Sequence, residues 1–123
     1  MTKGTTFWRK DEDSDYRHLR FIISDPDVDN KVLVVGMTKF KNNKREDTSC
    51  LLHPREHNCI KFESRIRYDK AYEIEYSILL QEKFEGNIEL KDNISSVLLA
   101  RIQSGAKITK ALIPKLKKYF QYF

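Results

Sequence analysis

The order of its local signals predicts that this chain folds as a mostly β, α+β domain, a small antiparallel β-barrel with helices packed on one side. Short apolar runs rich in β-branched residues fill the first part of the sequence. Helix signals gather only after Ser77. Strands and helices do not alternate, which argues against βαβ units.

The elements follow in chain order. Thr5 to Arg9 reads as a first strand, apolar at Phe7 and Trp8, and Asp11-Glu12-Asp13-Ser14-Asp15 as a polar loop. Leu19 to Ile23 and Val32 to Met37 are nearly continuous apolar runs, too short for helices, with turn chemistry at Ser24-Asp25-Pro26-Asp27 and at Asp29-Asn30. A polar, basic loop from Lys39 to Asp47 precedes a short strand from Cys50 to Leu52. Ile66, Tyr68 and the alternation Tyr72-Ile74-Tyr76 give one or two more strands. Ser77 is a candidate N-cap for a helix running to Phe84, with Gly86 as its stop. Ile94, Val97, Leu98 and Ile102 recur at helical spacing, so a second helix is expected from about 94 to Ser104, ended by Gly105. Pro114 suits the first turn of a last helix, Pro114 to Tyr122.

Length and charge bound the function. At 123 residues the chain holds one core. It reads as a barrel domain with its packed helix over 1–106, followed by a basic helical extension over 107–123. The net charge of +5 is carried by Lys107, Lys110, Lys115, Lys117 and Lys118, so residues 1–106 are neutral overall. A basic tail suits phosphate or an acidic partner, and equally a solvated lysine face. No apolar run approaches the ~18 residues that span a bilayer, and the first residues lack the apolar stretch of a secretory signal. No membrane partner and a cytoplasmic location are therefore expected, with Cys50 and Cys59 as reduced thiols. Gly-rich phosphate loops, Gly-x-Ser-x-Gly elbows, His-Glu-x-x-His and Cys-x-x-Cys are all missing.

Candidate chemistry lies between Arg17 and Lys61. His18 sits in a strand beside Arg17 and two before Arg20, and alternation puts His18 and Arg20 on one face. Imidazole passes protons near neutrality, and guanidinium grips phosphate with two bonds. Thr38 ends the most apolar strand, where a hydroxyl can orient a phosphate or merely close a local bond. His57 lies in an irregular loop within reach of Lys61, as a proton-transfer group or as a turn stabiliser. Lys39 and Lys41 add cations after Thr38. Cys50, His53, His57 and Cys59 are all competent zinc ligands, but their spacing lacks the knuckle of familiar structural sites.

These residues form a pattern. Arg17-His18-Leu19 runs into Ile23-Ser24-Asp25-Pro26, and the strand Val32 to Thr38 ends in a hydroxyl. Then come Cys50-Leu51-Leu52-His53-Pro54-Arg55-Glu56-His57 and, later, Leu98 to Ala106 and Ile113-Pro114. In these segments the chain resembles the PemK/MazF-like toxins of type II toxin–antitoxin systems, in a divergent PemK-like branch. The resemblance implies an SH3-like β-barrel, often a homodimer. It further implies metal-independent cleavage of single-stranded RNA, without a cofactor, and an acidic, partly disordered antitoxin as partner.

That family pairs an Arg before the second core strand with a Thr or Ser ending the next. Thr38 matches the hydroxyl, while His18 stands at the Arg position, with Arg17 one residue earlier. Arg55 replaces the Gly of the family's turn, and Phe62 occupies a downstream aromatic or His site. By this resemblance the catalytic candidates are His18, Thr38 and His57, with Arg17, Arg20, Lys39, Lys41 and Lys61 as RNA-binding groups, and Tyr68 and Phe62 as base-stacking rings. Two alternatives stay open: a non-catalytic nucleic-acid or protein-binding module on the same barrel, and a small zinc-stabilised domain.

Overall fold

A computed structural model describes residues 1–10 and 17–123. The acidic stretch expected as a polar loop lies outside the described residues. The strands are β1 (Thr6–Lys10), β2 (Arg17–Ile22), β3 (Lys31–Lys39), β4 (Leu51–Leu52), β5 (Ser64–Glu75) and β6 (Ile88–Lys91). They form one antiparallel sheet in the order β4-β5-β3-β2-β1-β6, curled into a half-barrel. Helices α1 (Tyr76–Glu85) and α2 (Ser96–Ile108) and two 3₁₀ segments, Pro54–Glu56 and Pro114–Tyr122, complete this α+β fold. Among the described residues, no helix is long and apolar enough to cross a membrane.

The continuous apolar runs of β2 and β3 have a physical cause, because both strands are covered on both faces. Leu19, Phe21, Leu33, Val35 and Met37 join the main core with Ile66, Tyr68, Leu98, Ile102, Leu116 and Tyr119. The alternate residues Ile22, Val32 and Val34 turn the other way, to a smaller core with Phe7, Leu79 of α1 and Ile88. The pairing of β3 with β5 shifts register between Val34, opposite Tyr72, and Gly36, opposite Arg67, so the ladder is irregular there. Arg20 crosses over Gly36, where a Cβ would lie 3.0 Å from the guanidinium.

The β2–β3 turn is tied by Asp27, whose carboxylate accepts the N–H groups of Asp29 and Lys31, both at 2.9 Å. The last segment belongs to the main core rather than standing apart from it. Leu112, Leu116 and Tyr119 are buried there, and the Asp25 N–H donates to the Tyr122 carbonyl at 2.8 Å.

Several boundaries differ from the sequence expectation. The first helix is entered from Glu75, not capped by Ser77, because β5 runs unbroken to Glu75 and the Tyr76 N–H is bonded to the Asn30 carbonyl. Gly86 does end it, with φ of 81° in the left-handed region. Gly105 does not end α2, which continues to Ile108; its missing side chain serves packing instead. Ser95 caps that helix by accepting the Leu98 N–H at 3.1 Å. Pro114 opens its segment as expected, but the segment is 3₁₀ rather than α. Of the one or two strands expected between Ile66 and Tyr76 the structure has one, β5, while β6 has no counterpart in the sequence expectation.

Candidate nucleic-acid interface

The start of β2 and the end of β3 lie at the same rim of the half-barrel, because the strands are antiparallel. Their register pairs Arg20 with Gly36 at the rim end of the ladder. A pocket of about 320 Å³ opens at this rim. Arg17, His18 and Leu19 line it from β2, and Met37, Thr38 and Lys39 from β3. Trp8 of β1, paired with Leu19, adds one wall. Cys59, Lys61 and Phe62 add another from the connection into β5.

That connection is held in place by His57. The Cys59 N–H donates to its Nδ1 at 3.0 Å, so Nδ1 is the acceptor and Nε2 carries the proton, donated to the Asp92 carbonyl at 2.6 Å. Asn58 adds a bond to the Asp92 carboxylate at 3.2 Å, and Ile60 plugs into the core. Upstream, the His53 N–H donates to Glu56 at 2.8 Å, and Glu56 in turn pairs with Arg101 of α2. The loop is thereby fastened to both sheet and helix, which fixes where Cys59, Lys61 and Phe62 stand.

The described lining carries three cations and no carboxylate. The Arg17 guanidinium lies over the Trp8 ring, 5.7 Å from its centroid, and is paired with Glu89 of β6 at 2.6 Å. The Lys39 ammonium lies 5.6 Å from the centroid of Phe62, whose ring is 44% exposed. Each aromatic wall thus presents a π face to a cation from a neighbouring strand.

His18, Thr38, Arg17, Lys39 and Lys61 all line the pocket, although strand alternation puts the side chains of His18 and Thr38 on the sheet face opposite those of Leu19 and Met37. The structure does not bring His57, Arg20 or Lys41 to the pocket. His57 is buried with both ring nitrogens bonded, so proton transfer by it would require breaking those bonds. Arg20 folds over Gly36 to the ring of Tyr72, 5.7 Å away. Lys41 sits in the loop whose backbone N–H groups, at Lys41 and Asn43, are collected by Glu46. The carboxylate of Glu46 is held below its ordinary value, first by the Asn43 N–H, against burial, and further by the Lys41 N–H and by Arg65 at 2.9 Å.

Tyr68 is not a base-stacking ring. It is 1% exposed, under α2, with its hydroxyl donated to the Ile102 carbonyl at 2.7 Å. A zinc centre on Cys50, His53, His57 and Cys59 is not built either. Among the described residues, no group of three or more His, Cys, Asp or Glu side chains is placed to hold a metal ion. Burial raises the Cys50 thiol above its ordinary value, and His53 pairs with Glu63.

Trp8 is the site residue that sequence reasoning missed. Its place depends on β1 pairing with β2 so that Trp8 stands opposite Leu19, and no local motif encodes that register. No protein-family model matches this chain, and no curated protein is significantly similar to it.

Proposed function

We propose that the rim pocket acts on single-stranded RNA as a metal-independent endoribonuclease, in the manner of the PemK/MazF-like toxins that the sequence resembles, on an SH3-like barrel. One observation carries this reading: His18 and Thr38 line one small pocket with Arg17, Lys39 and Lys61. A proton-transfer group, a hydroxyl and a cluster of cations are what cleavage by RNA's own 2′-hydroxyl requires.

In this reading His18 accepts the proton of the 2′-hydroxyl as O2′ bonds to phosphorus. The bond from phosphorus to O5′ breaks, O5′ takes up a proton from water, and a 2′,3′-cyclic phosphate remains. Lys61 and Arg17 offset the charge that builds on the phosphoryl oxygens, and Thr38 orients one of them. His57 supports the chemistry by fixing the loop that bears Lys61. The resemblance adds an acidic antitoxin as partner, a homodimer as the assembly and the cytoplasm as the compartment.

A second reading, an RNA-binding module without cleavage, is favoured by Arg17. Its guanidinium is engaged with Glu89 and Trp8, and the Arg position of the family holds His18. Incubation with mixed-sequence single-stranded RNA in EDTA separates the two. Discrete fragments that disappear in His18→Ala and in Thr38→Ala support cleavage. Intact RNA that is nevertheless bound leaves the binding module.

A further inference from the structure

The rim pocket has two aromatic walls, and both are covered by the pocket's own cations. Arg17 lies over Trp8, and Lys39 lies over Phe62. A cation over a ring in water is a weak contact at exposed sites, and a nucleobase over the same ring is held more strongly. A base can therefore displace Lys39 from Phe62 and the Arg17 guanidinium from Trp8, Arg17 keeping its pair with Glu89, and both cations then stand beside an arriving phosphate.

The size of the pocket limits what can enter. At about 320 Å³ it lies at the small end of ligand sites, room for one nucleotide and not for a helix. A base within a duplex has both faces stacked on its neighbours, so only an unpaired base can offer a face to Trp8 or Phe62.

Resting on the reading of this pocket as an RNA site, the geometry points to a single-nucleotide subsite. One unpaired base stacks against Phe62 and Trp8 in the places now taken by Lys39 and Arg17. The displaced cations, together with Lys61, grip the adjoining phosphate. Trp8 and Phe62 are then the residues that select single strands, and the free protein keeps them covered until a strand arrives.

The chain has one tryptophan, so its intrinsic emission reports on this wall alone. The probe is a mixed-sequence single strand with 2′-O-methyl sugars, which cannot be cleaved, with the same sequence as a duplex for comparison. Binding is followed in parallel by the anisotropy of a dye on the strand. The single strand is expected to quench Trp8 emission saturably, with the same midpoint as the anisotropy, and the duplex to leave emission unchanged. Phe62→Leu keeps an apolar side chain at an exposed position and is expected to weaken binding about tenfold.

Binding without a change in Trp8 emission would overturn the subsite, as would no binding, equal quenching by the duplex, or a Phe62→Leu protein that binds like the wild type. The two readings fail separately. Quenching by the uncleavable strand, with RNA left intact, keeps the subsite and removes the nuclease. Cleavage of RNA with Trp8 unmoved keeps the nuclease and removes the subsite.

Discussion

Gly105 lies against Tyr68 so closely that a Cβ on the glycine would collide with the tyrosine hydroxyl, and would also lie 2.9 Å from the Ser49 carbonyl. That hydroxyl donates to the Ile102 carbonyl at 2.7 Å, so Tyr68 cannot swing aside without losing a buried bond. Gly105→Ala is therefore expected to destabilise the fold by about 1–3 kcal/mol, the usual cost of overpacking. The check is a lower urea midpoint at unchanged slope. A midpoint equal to the wild type would mean that α2 can lift from the sheet at little cost.

The C-terminal segment is pinned by an acid–base cluster, and this gives stability a pH dependence. Tyr119 donates to Glu73 at 2.6 Å, and Lys118 lies 3.3 Å from Glu73 and 3.4 Å from Asp27. The Tyr119 bond is the main cause that holds Glu73 below its ordinary 4.5, against burial and with help from Lys118. At Asp27 burial acts upward, but the Lys31 and Asp29 N–H groups and Lys118 outweigh it and bring the carboxylate below 3.8. Because both folded values are depressed, the stability they confer is present above the unfolded values and is lost as pH falls through the folded ones. The urea midpoint should be level from neutrality to roughly pH 5 and fall below it. In Tyr119→Phe the folded Glu73 value returns toward 4.5, so the acid-side loss should shrink. An unchanged acid slope in that variant would show that Tyr119 does not hold Glu73.

How much of this was legible follows from what each residue answers to. β2 and β3 announce themselves because their residues are buried on both faces, which requires runs of Leu, Ile, Val and Phe. His18 and Thr38 were readable as strand-end groups, and antiparallel pairing is enough to bring such ends to one rim. β6 was not readable, because among its residues only Ile88 is buried and the rest alternate with nothing. Gly105 was misread because a glycine near a helix end has two meanings, a stop or a close approach, and only the position of Tyr68 tells them apart. Arg20 was expected to join the site, yet alternation puts it on the sheet face of Ile22 and Tyr72, away from Leu19 and Trp8. Trp8 depended on register and Tyr68 on the packing of α2, neither of which is local.

His57 should behave as a fastener of its loop. His57→Ala removes the bonds to the Asp92 carbonyl and the Cys59 N–H, both only part-buried, at a cost of about 0.5–1.5 kcal/mol for each bond lost. The expected result is a lower thermal midpoint, with RNA cleavage per folded molecule reduced far less than in His18→Ala. Equal loss of cleavage at undiminished stability would place His57 in the chemistry itself.

The pocket and the lysine-rich C-terminus compete as the source of phosphate attraction, and salt dependence separates them. Each phosphate neutralised on a single strand adds about 0.7 to the slope of log affinity against log salt. Lys61 and Lys39 are exposed at the rim, while in the C-terminal segment Lys118 is already paired with Asp27 and Glu73, and Lys107 lies over the Phe123 ring. Lys61→Gln and Lys39→Gln should each lower the slope by roughly 0.7. Lys117→Gln removes the same charge from an exposed position outside the pocket, and it should leave the slope near the wild-type value. The measurement is binding of a single strand across a salt series. If Lys117→Gln lowers the slope as much as Lys61→Gln does, the strand runs over the C-terminal lysines and the pocket holds only part of it.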